Sequence, residues 1–401
     1  MFNTSSEYIQ EITQSISNAD YSLTSRRMLD FLYDYNVSSN AELKHLSYEI
    51  RQNYLTLSQD ESAKVTKLQE QCDAWLQLAH QLMPHLSQSQ VPNENTVVYS
   101  ASELSKEFVS ANRSFKLHPL SLEIKLGELT AVVGENGNGK TTLLRLVSGE
   151  LAKSTGNVLY FENQQNDWYN IKGKIAYIPQ RPNRWYGTLI DNLHFYCTIK
   201  GIKHEDNENH VNYILHRLGL YQFRNLKWTE ISSGYRLRFE LAKALMMRPQ
   251  LLILDEPLAN LDINAQQLFI QDLKYLSQSV KNPMGVILSS QQLHELERNC
   301  QNIIFIKQGK TIYSGNQQAF ASNRQTNAYE IGGNFNYPQI KEYFSNLSDI
   351  KIIDSGTVFI INTPLHIDSA TILKTITDKQ IPVNYFRDIS KSTRQLFQKD
   401  I

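Results

Sequence analysis

Through the first part of the chain apolar side chains recur at helical spacing: Met28, Phe31, Leu32 and Tyr35, then Leu43, Leu46, Ile50, Tyr54 and Leu57, then Val65, Leu68, Cys72, Trp75, Ala79 and Leu82. Residues 1 to 86 are therefore expected to be helical, their stripes packed into a small bundle or laid against another protein. Pro84 and the polar run at 87–95 break the pattern and read as a linker. From about 97 to 320 strand-like and helix-like segments alternate, with buried strands expected at Leu129–Val133, 174–178, Leu251–Leu254 and 286–288. An α/β domain of this kind carries its ligand at the carboxyl ends of its strands. Beyond a loop near 321–328 the tail reads strand (329–332), helix (338–346), a hairpin around Ser355 and Gly356, helix (369–379) and strand (383–386). That βαββαβ order suggests a small ferredoxin-like α+β module. The expected division is 1–95, 96–322 and 323–401, in keeping with a chain of 401 residues that is too long for one core.

The chemistry is concentrated in the central segment. Gly134, Glu135, Asn136, Gly137, Asn138, Gly139, Lys140, Thr141 and Thr142 match G-x-x-x-x-G-K-[ST], directly after an apolar strand and before a helical run. Glycines let the backbone curl until its N–H groups point at phosphate oxygens, and the helix N-terminus adds partial positive charge. Lys140 is placed to reach the β and γ phosphates of ATP, and the Thr141 hydroxyl to hold Mg²⁺. Downstream, Leu251–Leu254 is an all-apolar strand that ends in two carboxylates. Asp255 is the natural second Mg²⁺ partner, which leaves Glu256 to orient or deprotonate the attacking water.

Composition narrows the partners. Forty basic residues balance forty acidic ones, so no overall field draws the chain to nucleic acid, and no nucleic-acid partner is expected. Cys72, Cys197 and Cys300 lie far apart without a CxxC pair, which fits reduced, buried thiols. The first residues have neither a basic nor an apolar signal region, and no apolar run approaches the ~20 residues of a membrane span. A cytoplasmic location is expected, with any membrane role exercised through a partner.

Between the two motifs, Ile231, Ser232, Ser233, Gly234 and Tyr235 open a helical run and resemble the LSGGQ signature of the ATP-binding-cassette (ABC) ATPases. The resemblance covers roughly residues 100–320 and extends to a Q-loop at Gln180 and a D-loop ending in Asp262. It implies a P-loop cassette with a mixed sheet and a helical subdomain. It further implies a head-to-tail dimer in which Ser232, Ser233 and Gly234 face the γ-phosphate held by a second copy. In the family Gln180 joins Thr141 and Asp255 around the metal, and an aromatic residue upstream of the phosphate loop stacks on adenine. Phe108 sits in the matching place, with Phe115 as competitor.

Two motifs depart from the pattern: Ser233 and Tyr235 alter the signature, and Gln291 stands where the family usually has a switch histidine. Glutamine still donates a hydrogen bond but cannot become cationic, so hydrolysis is expected to be slow but real. His294 lies three residues on and reads as a helix-surface residue. The loop and helix around 186–196 resemble the surface by which exporter cassettes meet their membrane subunit, and the C-terminal module is similar to the accessory domain of bacterial exporter ATPases. The resemblance therefore implies the motor of an exporter, peripheral at the inner membrane face, whose membrane subunit is a separate chain. The alternative is a soluble switch whose output is ATP-dependent dimerisation. A translation-associated cassette is disfavoured, because a second cassette and basic linkers are missing from this sequence.

Overall fold

The computed structural model describes residues 4–37, 40–56, 62–86, 92–93, 95–110, 113–161, 167–291, 296, 299–316 and 326–390. Leu57, His294 and most of the expected linker lie outside them. Four helices open the chain: α1 (Ser5–Ser17), α2 (Tyr21–Asp34), α3 (Ala41–Leu55) and α4 (Ser62–Leu82). Local chemistry starts the first three. Thr4 and Glu7 form a capping box on α1, Asp20 accepts from Leu23 N on α2, and Asn40 accepts from Leu43 N on α3. At the centre of the bundle Trp75 meets Phe31 edge-on at 5.6 Å and donates to Ser47 Oγ at 2.6 Å.

The middle of the chain runs β1 (Val97–Ser110), β2 (Arg113–Lys125), β3 (Leu129–Val133), α5 (Lys140–Val147), β4 (Thr155–Tyr160), α6 (Trp168–Lys172) and β5 (Ile175–Ile178). It continues through α7 (Leu189–Ile199), α8 (His204–Arg217), α9 (Ser233–Met246), β6 (Leu251–Leu254), α10 (Ile263–Ser277), β7 (Gly285–Ser290), β8 (Asn302–Lys307) and β9 (Lys310–Asn316). Six strands form the central sheet in the order β5-β6-β7-β3-β8-β9, parallel except for β9. Strands β3 and β6 are buried throughout, which is why they are apolar except at Thr130. Strand β7 extends past the expected apolar core at 286–288, because its pairing with β3 continues through two serines that apolarity alone did not reveal. A separate antiparallel sheet, β2-β1-β4, covers one side.

The last segment runs β10 (Thr326–Gly333), α11 (Tyr337–Tyr343), β11 (Lys351–Asp354), β12 (Phe359–Pro364), α12 (Ser369–Asp378) and β13 (Val383–Asp388). Its antiparallel order, β11-β12-β10-β13, is the split arrangement of a ferredoxin-like module around its own core.

The first four helices do not keep a core to themselves. Their buried apolar residues run continuously into those of the cassette, and α2 is buried from Thr24 to Leu32, charges included. Buried charge is tolerated only when paired, and each of these is paired. Asp272 Oδ1 on α10 accepts from Arg26 Nη1 and from Arg217 Nη1 of α8, both at 2.5 Å, while Arg217 Nε donates to Asp30 Oδ1 at 2.6 Å. Arg27 bridges Asp30 at 3.1 Å and Glu11 at 2.9 Å. Asp34 accepts from Tyr8 at 2.7 Å and from Ser279 at 2.5 Å. Arg51 donates to the carbonyls of His216 and Arg217 at the C-terminal end of α8, the negative end of the helix dipole. The helical stripes thus pack against one another and against the cassette of the same chain.

This seam is expected to be acid-labile. Burial, then Arg248, holds the imidazole of His210 down to about 3; burial, then Arg51, holds that of His216 at about 4. Both are neutral in the fold, whereas the unfolded chain takes up protons near pH ~6.5. Their contribution is therefore complete above that pH and is lost as pH falls toward the folded values, by about 2 kcal/mol per histidine at pH 5. Asp34, whose carboxyl burial pushes up, works in the opposite direction. Urea midpoints at pH 7.5 and pH 5 measure the loss, and a His210→Gln/His216→Gln double variant should flatten the profile.

Candidate functional site

Strand order decides what meets at the site. Strands β6, β7 and β3 are neighbours, so their carboxyl ends bring together segments that are far apart in sequence. From the end of β3 the chain turns back into α5 through Gly139, whose φ of +106° favours glycine. A Cβ there would lie 2.9 Å from Phe115 Cζ, and one at Gly134 would lie 2.3 Å from the Ile306 carbonyl oxygen, so both positions have to be bare. Asn138 shapes the loop: its Oδ1 accepts from Gln308 N at 2.9 Å, and its carbonyl accepts from Gly309 N at 3.1 Å. Glu135, Asn136 and Gly137 remain exposed at the loop tip, Thr141 is exposed and Thr142 half-buried on the first turn of α5.

Lys140 is buried, and its ammonium is fully engaged. It donates to the carbonyls of Gly134 at 2.8 Å and Glu135 at 3.1 Å and pairs with Glu256 Oε1 at 2.9 Å, which uses its three donors. Glu256 Oε2 accepts from Gln291 Nε2 at 2.8 Å. Lysine, glutamate and the glutamine at the switch position therefore form one chain of contacts. Glu256 itself has φ +49°, an uncommon backbone for a residue with a side chain.

A further residue ties the Asp255 carboxylate to the Glu256 backbone, and the sequence reading missed it. Ser289 Oγ donates to Asp255 Oδ1 at 2.7 Å and accepts from Glu256 N at 2.8 Å. Its signal was present: Ser289 and Gln291 alternate on one face at the end of an apolar strand. Burial and the neighbouring Asp255 push the phenol of Tyr177 up. Gln180, Asp255, Glu256 and Ser233 line one cavity of about 260 Å³, between the end of β5, the tip of β6 and the start of α9. The oxygen donors in this region, the Thr141 hydroxyl, the Asp255 carboxylate and the Gln180 amide, suit a hard cation such as Mg²⁺.

The signature segment forms the N-terminus of α9. Ser232 is the cap residue but makes no side-chain cap bond, so its exposed hydroxyl is not used on the helix's own first-turn N–H groups. Gly234 follows half-buried, and the Tyr235 ring packs on Phe223 at 4.1 Å. Asp262 caps α10 by accepting from Ala265 N at 3.0 Å, a structural use of this D-loop carboxylate. Of the two aromatic candidates, Phe115 packs on Gly139, whereas Phe108 is 39% exposed beside it at 6.4 Å, with Lys106 Nζ 5.2 Å from its ring. Cys72, Cys197 and Cys300 are free and buried.

A glycine-rich loop between a central parallel strand and a helix, beside the acidic tip of a strand in the same sheet, places the chain among the P-loop nucleotide-binding proteins. Residues 117–259 match the family model described as ABC transporter. An uncharacterized ABC transporter ATP-binding protein of Methanocaldococcus jannaschii is 30% identical over 200 residues, 50% of this chain and 71% of that protein. The ABC transporter ATP-binding protein NatA of Bacillus subtilis is 26% identical over 53% of this chain and 87% of its own length. The energy-coupling factor transporter ATP-binding protein EcfA1 of Streptococcus thermophilus is 30% identical over 49% and 72%. The chain belongs to the ABC transporter family of ATP-binding proteins. Among the described residues no helix is long and apolar enough to cross a membrane.

Proposed function

We propose that this chain binds MgATP on the 134–142 loop, hydrolyses it in a head-to-tail dimer, and drives a separate membrane subunit in export. The observation that carries the reading is the meeting of Lys140, Glu256 and Gln291 at the adjoining ends of β3, β6 and β7. Triphosphate oxygens compete with Glu256 for Lys140, so nucleotide entry frees the carboxylate to orient or deprotonate a water. Thr141, Asp255 and Gln180 would hold Mg²⁺, which neutralises charge on the phosphates. Gln291 donates a hydrogen bond but brings no charge, so the step is slow. Phe108 is the adenine platform. Ser232, Ser233 and Gly234 of a second copy close the site through the open N-terminus of α9.

Support for a membrane partner comes from the relatives' names and from an exposed apolar surface. Tyr186, Phe195 and Ile199 are 81%, 61% and 56% exposed on and just before α7. The neutral Gln291 also favours the second reading, a soluble switch reset by slow hydrolysis. The two separate in mild detergent: co-purification of a multi-spanning membrane protein, lost on Phe195→Asp, supports the motor. A soluble MgATP-dependent dimer isolated alone supports the switch, and a chain that stays monomeric with MgATP rules out both.

A further inference from the structure

At the seam between the helical prefix and the cassette, away from the phosphate loop, lies a cavity of about 110 Å³. Tyr33 and Lys44 of the prefix line one side; His210 of α8, the Arg248 turn and Lys281 line the other, with Asp206 as the one carboxylate among the described lining residues. Lys44 donates to Asn209 Oδ1 at 2.8 Å and Lys281 to Asn36 Oδ1 at 2.5 Å, so two of the three cations are held by neutral oxygens. Arg248 is different. Its Nε is buried without a hydrogen-bond partner, and none of the ion pairs among the described residues involves its guanidinium. Its backbone also sits at φ +47°, an unfavourable conformation for a residue with a long side chain.

Three cations against one carboxylate leave this cavity with an excess of positive charge. A partly buried charge without a partner is costly, and an arginine fork matches the oxygens of a phosphate-like ion. We infer that this cavity is a binding site for a small phosphate-class oxyanion, held by Arg248 with Lys281 and Lys44, that ties the helical prefix to the cassette. The volume leaves room for one tetrahedral ion and some water. The site is independent of the nucleotide reading, because none of its residues belongs to the 134–142 loop, the strand-tip carboxylates or the signature.

The test uses the full chain carrying Lys140→Ala, which removes a lysine of the phosphate loop from the comparison. Thermal unfolding is followed against inorganic phosphate and against sodium chloride of equal ionic strength. The expected result is a saturable, phosphate-specific rise in Tm, and an apparent affinity about tenfold or more weaker when Arg248→Met is added. Without phosphate, Arg248→Met should be no less stable than its parent, since it removes a charge that no described carboxylate pairs. Equal phosphate responses with and without Arg248→Met, including no response in either, would overturn the inference. If Arg248→Met does not fold, Lys281→Met in the same background supplies the same comparison.

Discussion

Glu256→Gln protein is expected to keep binding MgATP while its steady-state phosphate release falls at least about 100-fold, the usual loss when a general base is removed. The contacts of Glu256 explain why binding and turnover separate. Its carboxylate pairs with Lys140 on one oxygen and accepts from Gln291 on the other, so it competes with phosphate for the lysine. A neutral amide keeps the shape and gives up the ionic hold, leaving Lys140 free for the nucleotide. ATP affinity should therefore stay the same or tighten. Single-turnover phosphate release and nucleotide-binding titrations on one preparation check the two halves, and unchanged turnover would remove Glu256 from the role of base.

Asp272→Ala is expected to destabilise the chain by about 3 to 5 kcal/mol, the range for breaking a buried ion pair by removing one partner. A single carboxylate oxygen receives both Arg26 and Arg217, so truncation strips a partner from two buried guanidiniums. Arg26 retains the neutral Gln271, and Arg217 retains Asp30. Burial raises the carboxyl of Asp272, but Arg217 and Arg26 outweigh it and hold the group at about 2. Its contribution is thus present above the unfolded value near ~4 and is lost as pH falls toward 2. Urea denaturation at pH 7 measures the loss. A change below about 1 kcal/mol, ordinary for a surface pair, would show that the seam does not hold the helices to the cassette.

Much of the site was legible because its signals are local. The phosphate loop follows from residues adjacent in sequence, and the apolar run before Asp255 and Glu256 follows from burial on both faces of β6. Ser289 was missed because apolarity marked the end of β7 too early, although strand pairing continues through two serines. The choice between Phe108 and Phe115 could not be read locally either. Both sit on one hairpin, Phe115 against Gly139 and Phe108 exposed, a difference that local spacing does not show.

The helical prefix shows the other side. Its stripes and caps follow from helical spacing and from Thr4, Asp20 and Asn40, so helices at this end were determined by the sequence itself, as were the phosphate loop and the acidic strand tip. Where the charges of α2 would go was not. Arg26 and Asp272 are 246 residues apart, Arg217 and Asp30 are 187 apart, and a buried pair has the same local spelling as a solvated charged face. Only tertiary contact decides which, because desolvation depends on the groups that arrive from distant segments. The same holds for the meeting of Lys140, Glu256 and Gln291: each follows the carboxyl end of a different strand, and the order of those strands in the sheet makes them neighbours.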